Sequence, residues 1–402
     1  MVWSKLEFED LEFRSVDDEV KVIFYDLFFF RVSIKELASI SEYKIHDRSI
    51  EFAISEKAAN NKFNRLLEKG FSSLIGPNGK KTIYIHRNSG IPLIGTNVFG
   101  IIDRDTDVLE IKPMTGCNLN CIFCSVDEGI KSKKEHDFLV EEEYIVQEFK
   151  KIASQKKGPV EAHIAGQNEP LLYPRLKQLI EDINNTGLTK DISIDTNGVL
   201  LSKEMIDELV QAGLTRINLS LNAWNQDMAS KMAGSAIDIE HIKKMAIYAK
   251  NKIDLLLAPI YVQGINDQEM PNLIRFSKKV GCVIGIQNFL EYEKGRKPAK
   301  QIAMDQFYAK LDDWSKEFST DLRLKDYFSI QTDKALEKPF HKGDQVKAVV
   351  VCPGKYREEM ICASNERNIT LKTSKTQRIG ETVRVKLVRE KHNIFKGVIL
   401  KK

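Results

Sequence analysis

Apolar and polar positions repeat along this chain with different periods, and the changes of period divide it into three stretches. In the central stretch, runs rich in β-branched residues begin near Val108 (VLEIK), Val160 (VEAHIAG), Ile192 (ISIDTNG), Arg216 (RINLSLN), Leu255 (LLLAPIYV) and Val283 (VIGIQNFL). Amphipathic stretches over 139–152, 173–183, 203–211, 239–249 and 268–280 lie between them, and a further helix over 304–318 is predicted to close the series. The last five strand starts are 32, 24, 39 and 28 residues apart, about one βα unit each. Six such units predict a parallel sheet with helices outside, either doubly wound or curved into a partial barrel. In both architectures reactive groups belong at the C-terminal ends of the strands.

The stretch before it, residues 1–103, predicts an α+β domain. An aromatic run (Phe24, Tyr25, Phe28, Phe29, Phe30) reads as core. A helix is predicted to start near Ser55, to turn Phe63, Leu66 and Leu67 inward, and to stop at Gly70. Residues 71–74 and 82–85, around Pro77-Asn78-Gly79, predict a β-hairpin. After Lys338-Pro339 the period becomes two. Short strands are expected over 346–351, 359–362, 369–372, 383–388 and 397–400, which suit a small β-barrel of the oligonucleotide-binding type. The expected domains are therefore 1–103, 104–335 and 340–402.

Composition narrows the classes. With 402 residues, 42% apolar and 29% charged, the chain can bury a sizeable core under a polar surface. No run approaches the ~20 apolar residues of a membrane span. The opening MVWSKLEFEDLEF is too acidic and too mixed for a signal peptide, so a cytoplasmic location and no membrane partner are expected. The net charge of +4 is unevenly spread: from Phe340 onward there are 15 Lys and Arg against 6 Asp and Glu, a net of +9 over a body at −5. A basic module on a mildly acidic body is the asymmetry expected of a polyanion-binding protein; a merely solvated Lys-rich face is the plainer alternative.

Three of the six cysteines, Cys117, Cys121 and Cys124, stand in CNLNCIFC just after the first strand of the central series. An odd number of thiols does not make a disulfide framework. Structural zinc usually takes four ligands, and no fourth Cys or His follows at finger spacing. Three thiolates on one loop fit three corners of a [4Fe–4S] cluster, with the fourth iron left for a small chelating molecule. Cys282 reads as core; Cys352 and Cys362 read as core or incidental thiols, with metal binding or a methyl-carrying thiol as the alternatives.

CNLNCIFC, with the aromatic Phe123 before its last cysteine, resembles the CxxxCxxC loop of the radical S-adenosylmethionine (radical SAM) enzymes, and the resemblance runs from about Val108 to Glu291. It implies a partial (β/α)6 barrel carrying one [4Fe–4S] cluster on Cys117, Cys121 and Cys124 and one molecule of SAM. Reductive cleavage of SAM to a 5′-deoxyadenosyl radical is the implied chemistry. AGQNEPLLYP resembles the family's Gly-Gly-Glu loop, with Gln167 and Asn168 where a second Gly is usual. It assigns Glu169 to the amino group of SAM. By the same resemblance Asn197 in Asp195-Thr196-Asn197-Gly198 lies near SAM, Ser220 and Asn222 reach the ribose, and Val262 and Gly264 meet the adenine. A ferredoxin- or flavodoxin-type electron donor is implied as partner.

Residues 369–400 resemble a TRAM-type RNA-binding barrel through Gly380, the alternation of Val383, Val385 and Leu387, and the bases Lys386, Arg389 and Lys391. His392 and Phe395 are candidates for base stacking, with core packing the alternative for Phe395. The expected function is modification of RNA, tRNA or rRNA, held by residues 340–402. The alternatives are a radical SAM enzyme acting on a protein, peptide or small metabolite, and a non-catalytic iron–sulfur RNA-binding protein.

Overall fold

A computed structural model describes residues 2–324, 327–328, 330–373 and 377–400. The chain forms two compact units, one of residues 1–85 with 135–139 and one of 86–134 with 140–402. No helix among the described residues is long and apolar enough to cross a membrane.

The first unit holds an antiparallel meander of Leu11–Val16, Glu19–Phe24 and Phe28–Ser33 and a second three-stranded sheet of Ser4–Glu7, Ser49–Phe52 and Tyr43–Ile45. Helix Glu56–Phe71 buries Ala59, Phe63 and Leu67, and the Phe63 ring meets Phe8, Phe13 and Phe52. Leu66 is only partly buried. Gly70 does not stop this helix. It sits inside the last turn because a Cβ there would come within 2.2 Å of the Phe30 ring, a clash no rotamer of a buried ring relieves. Gly70→Ala is therefore expected to destabilise the protein by about 1–3 kcal/mol. An unchanged urea midpoint would refute that packing. The predicted hairpin is only half present. Its turn forms, with Gly76 N donating to Lys80 O at 2.9 Å and Thr82 N to Leu74 O at 2.7 Å, but the first arm is helix to Phe71, and strand Lys81–Ile85 takes His136–Val140 as its strand partner. That pairing also takes Leu139 and Val140 out of the next helix, which begins at Glu142.

The second unit is built on a seven-stranded sheet. Six strands are parallel, in the order Val283–Ile284, Asp254–Leu257, Arg216–Leu219, Thr189–Thr196, Val160–Ile164 and Val108–Lys112. The seventh, Gly100–Asp103, runs antiparallel at the edge beside Val108–Lys112. Alternation sorts the faces. Ile164, Ile194, Ile217 and Leu255 form one continuous buried row across four strands, covered by helices that include Leu176–Asn185, Lys203–Ala212 and Ile239–Lys250. The neighbouring row on the other face is polar: Glu110, His163, Ser193 and Arg216 stand side by side. Helix Met304–Phe318 forms as the periodicity predicts, while the short helix Gln226–Ala233 was not predicted.

The C-terminal strands Gln345–Pro353, Glu359–Ser364, Arg367–Lys372, Lys396–Ile399 and Thr382–Arg389 close into a barrel in that order. Val350, Cys362, Ile369, Leu371, Val385, Leu387 and Phe395 fill it. Phe395 is therefore core and presents no stacking face, and His392 lies 3.6 Å from Asp105. Main-chain bonds tie the barrel to the unit: Asn368 N donates to Ile94 O (2.7 Å) and Phe395 N to Gly95 O (2.9 Å). At Gly95 (φ +123°) a Cβ would meet the Asn368 backbone at 2.2 Å.

Candidate functional site

Parallel strands end together, so the loops that follow them share one edge of the sheet. Leaving Val108–Lys112, the chain reaches Gly116, whose N–H donates to Gln167 O at 3.2 Å and whose carbonyl accepts from Glu169 N at 2.9 Å. This short bridge fixes the cysteine loop against the loop after Val160–Ile164. The cysteine loop is pinned further on: Asn120 N and Ile122 N donate to Ala233 O and Met232 O, both at 3.0 Å, at the end of helix Gln226–Ala233. Arg296 clamps it from the other side. Its guanidinium donates to Cys121 O (2.9 Å), Glu128 O (2.7 Å) and Asp127 Oδ1 (2.8 Å), and its N–H to Cys124 O (2.9 Å).

Cys117, Cys121 and Cys124 line one cavity of about 230 Å³ together with Phe123, Glu169, Asn197, Ser220 and Asn222. Leu119 N donates to Cys117 Sγ (3.4 Å) and Glu128 N to Cys124 Sγ (3.3 Å), donors that favour thiolate over thiol. Burial acts the other way: it pushes Cys117 far up and Cys121 up to about 12, with repulsion from neighbouring acids and thiols adding to it. Thiolates gathered this closely repel one another, and bound cations relieve that repulsion. Among the described residues no three His, Cys, Asp or Glu side chains surround a point where one ion could sit. A cluster makes no such demand, since it takes each cysteine on a different iron.

Glu169 is the buried centre of the opposite wall. Its carboxylate accepts from Thr196 Oγ1 (2.6 Å), Asn197 N (2.8 Å) and Leu171 N (3.2 Å), yet burial still raises it to about 7. Asn197 Nδ2 bridges to Asn118 Oδ1 at 2.8 Å and lies 3.8 Å from Cys117 Sγ, which joins this wall to the sulfurs. Asn222 spends its amide on Ser220 O (3.0 Å) and Ile260 N (2.8 Å), holding adjacent strand ends. Val262 and Gly264 are outside the cavity lining. Val262 packs behind Phe123 with Met232 and Phe289, and its N–H is taken by Asn266 Oδ1; Gly264 is exposed at φ +80°.

Sequence reading missed several residues here. Asn168 lines the cavity with both carboxamide atoms buried and without a hydrogen-bond partner among the described residues. A buried amide left so is costly unless a ligand completes it. Asp195 also lines the cavity, its side chain 47% exposed, with His163 Nε2 at 3.4 Å and Asn218 Nδ2 at 2.8 Å behind it. Burial opposes charge on both, but the pair outweighs it: Asp195 is held below the usual carboxylate range and His163 above its ordinary value. The only signal for Asp195 was its place at a strand end; Arg296 had none.

The sequence model of the Radical SAM superfamily matches residues 111–277. An uncharacterised protein of Methanocaldococcus jannaschii is 37% identical over 350 residues, covering 79% of this chain and 80% of that protein. The chain is a member of the radical SAM superfamily. The GTP 3′,8-cyclase of Aquifex aeolicus is 31% identical over 196 residues, covering 48% of this chain; the chain spans 58% of that enzyme's length. SuiB of Streptococcus suis, solved with S-adenosylmethionine, aligns over 77% of this chain and 70% of its own at 16% identity, with a TM-score of 0.41.

As a radical SAM enzyme it takes the family's cofactors, a [4Fe–4S] cluster and SAM. The cavity fits them on its own chemistry. Three thiols supply one side, a buried carboxylate suited to an ammonium supplies the other, and the orphaned Asn168 amide offers a donor and an acceptor between.

Proposed function

We propose that this radical SAM enzyme carries its cluster on Cys117, Cys121 and Cys124, holds SAM against Glu169, and modifies RNA. The observation that carries the cofactor assignment is the convergence of three sulfurs, Glu169 and the unpartnered Asn168 amide on one cavity. A reduced cluster held by Cys117, Cys121 and Cys124 would supply the one electron, and SAM held against Glu169 the radical chemistry that removes hydrogen from substrate. The chain's own residues bind and orient. Glu169 receives the amino group, Asn197 and Ser220 flank the sugar side with Asn222 bracing the strand ends, and Phe123 with Val262 closes the cavity to water; Gly264 belongs to the turn beyond them.

Residues 104–335 form the chemical domain in this reading, 1–103 an N-terminal module, and 340–402 the polyanion contact. Support for RNA comes from the outer face of the barrel. Lys347 and Arg384 are cross-strand partners, Lys386 pairs Gln345 beside them, and all three bases are exposed while their alternates fill the core. Phosphate backbones are the partner this charge suits. The similarity to GTP 3′,8-cyclases supports the second reading, a small metabolite as substrate. The reductant is proposed to be a low-potential ferredoxin or flavodoxin, and the location cytoplasmic.

Mass spectrometry of modified nucleosides from a strain lacking the protein tests the RNA reading. One missing nucleoside, restored by the gene, is expected; an unchanged profile moves the assignment to a metabolite or peptide. The cofactor reading makes a separate prediction. Because burial raises Glu169 to about 7, it is neutral below that pH and cannot attract an ammonium. SAM affinity is expected to weaken roughly tenfold per pH unit as pH falls through that value, and to be level above it. Glu169→Gln removes the pH dependence and costs about 2–3 kcal/mol of binding at alkaline pH. Calorimetric titration of the reconstituted protein measures both, and a pH-independent wild type would sink the assignment.

A further inference from the structure

The barrel does more than pack beside the sheet. Strand Gln345–Pro353 turns into Glu359–Ser364 through a tight connection in which Gly354 N donates to Glu359 O (2.7 Å) and Glu359 N to Tyr356 O (2.9 Å). At its tip Lys355 is only 1% exposed, and its ammonium leaves the barrel altogether. It donates to Gln167 Oε1 (2.6 Å) and Val126 O (2.9 Å) and forms an ion pair with Glu128 Oε1 at 2.6 Å. Tyr356 OH reaches the same Val126 carbonyl at 3.3 Å.

Each acceptor leads to the cofactor site. Val126 and Glu128 form the distal arm of the cysteine loop, and Glu128 N donates to Cys124 Sγ. Gln167 lies two residues before Glu169; its carbonyl accepts from Gly116 N, next to Cys117, and its amide donates to Asn97 O at 3.1 Å. Gln167 is also where the chain departs from the Gly-Gly-Glu pattern it otherwise resembles. A glycine there would need no partner. A buried glutamine does, and Lys355 is that partner.

We propose that Lys355 is a positioning residue through which the C-terminal barrel completes the cofactor site, locking the arm that carries Cys124 to the loop that carries Glu169. The proposal rests on the reading of Cys124 and Glu169 as cofactor ligands. Charge gives it a second consequence. Glu128 lies between two buried lysines, Lys355 and Lys134, so the trio carries a net positive charge beside Cys124. Positive charge near a cluster favours the reduced state, which is the more negative one.

The test uses the full-length chain, reconstituted anaerobically with iron and sulfide, as wild type and as Lys355→Met, which keeps the bulk and drops the charge and donors. Iron content is expected to stay at the wild-type level, because the three thiols are intact. SAM dissociation constants, read from the change SAM makes in the electron paramagnetic resonance spectrum of the reduced cluster, are expected to rise tenfold or more. The midpoint potential is expected to move negative. Gln167→Gly combined with Lys355→Met is expected to bind SAM no worse than Lys355→Met alone, since both changes cut the same tie. Should Lys355→Met not fold, Gln167→Gly carries the test, because it leaves the bonds to Val126 and Glu128 in place; its SAM affinity is expected to fall. A folded Lys355→Met with wild-type affinity and potential overturns the proposal, as does unchanged SAM affinity in Gln167→Gly. A wild type that takes up neither iron nor SAM would instead overturn the cofactor reading itself.

Discussion

Alanine at any one of Cys117, Cys121 or Cys124 is expected to abolish iron loading and, with it, all measurable release of 5′-deoxyadenosine under reducing anaerobic conditions. The effect is complete because the sulfurs are neither redundant nor exposed. They share one half-buried loop, and desolvation holds Cys117 and Cys121 as thiols until a cation replaces the proton. Removing one leaves an iron corner without its ligand and the other two with no reason to ionise. The fold itself is expected to survive, since the loop is pinned by Arg296, Ala233 and Met232 through its backbone rather than by the thiols. Cys282→Ala is the matched control. That thiol follows helix Met270–Val280 and is not among the residues lining the cavity, so its loss leaves the brown colour and the iron count intact. Iron and sulfide assays with circular dichroism measure all four variants. Full iron in any one of the three motif variants would remove that cysteine from the ligand set.

Reversing the charge of Lys347, Arg384 and Lys386 together is expected to cost two orders of magnitude or more in RNA affinity at low salt and to flatten the salt dependence by about two units of log–log slope. Iron content and SAM affinity are expected not to change, because these side chains point away from the barrel core and none lines the cavity. Cutting off residues 340–402 is a poorer experiment than the sequence alone suggests. It removes the partners of Ile94 O and Gly95 O and takes Lys355 out of the cofactor site, so loss of RNA binding would be mixed with loss of the site. Filter binding across a salt series measures the triple variant. Affinity equal to that of the wild type would leave the barrel a structural element and favour a small substrate.

Local pattern carried much of this protein. A period of two in Val383, Val385 and Leu387 placed each outside residue of that strand, the basic ones included, because a strand's faces are set by its own backbone. The βα rhythm located all six parallel strands, and helix Met304–Phe318 was bounded to the residue, since 3.6-residue periodicity is a property of the segment itself. The cysteine loop was legible for the same reason: its three sulfurs lie within eight residues and need no distant partner to be brought together.

Other features depend on which distant segment arrives. Gly70 looked like a helix stop, and only the Phe30 ring beneath it shows a packing glycine. Strand Lys81–Ile85 bonds across its own turn only at its start, through Thr82 N to Leu74 O, and finds its strand partner in the distant His136–Val140. Asn168 was visible only as a departure from a motif; that its amide is buried without a partner is a fact about the walls around it. Arg296 and Lys355 reach the cysteine loop from 175 and 229 residues away, and nothing in their neighbours along the chain marks them. By itself, then, the sequence determined the βα core, the barrel and the three-thiol loop, all of which follow from near-neighbour spacing. Tertiary structure alone decided what clamps those thiols and joins the barrel to them, because such contacts exist only after chain closure has met the entropy of bringing remote segments together.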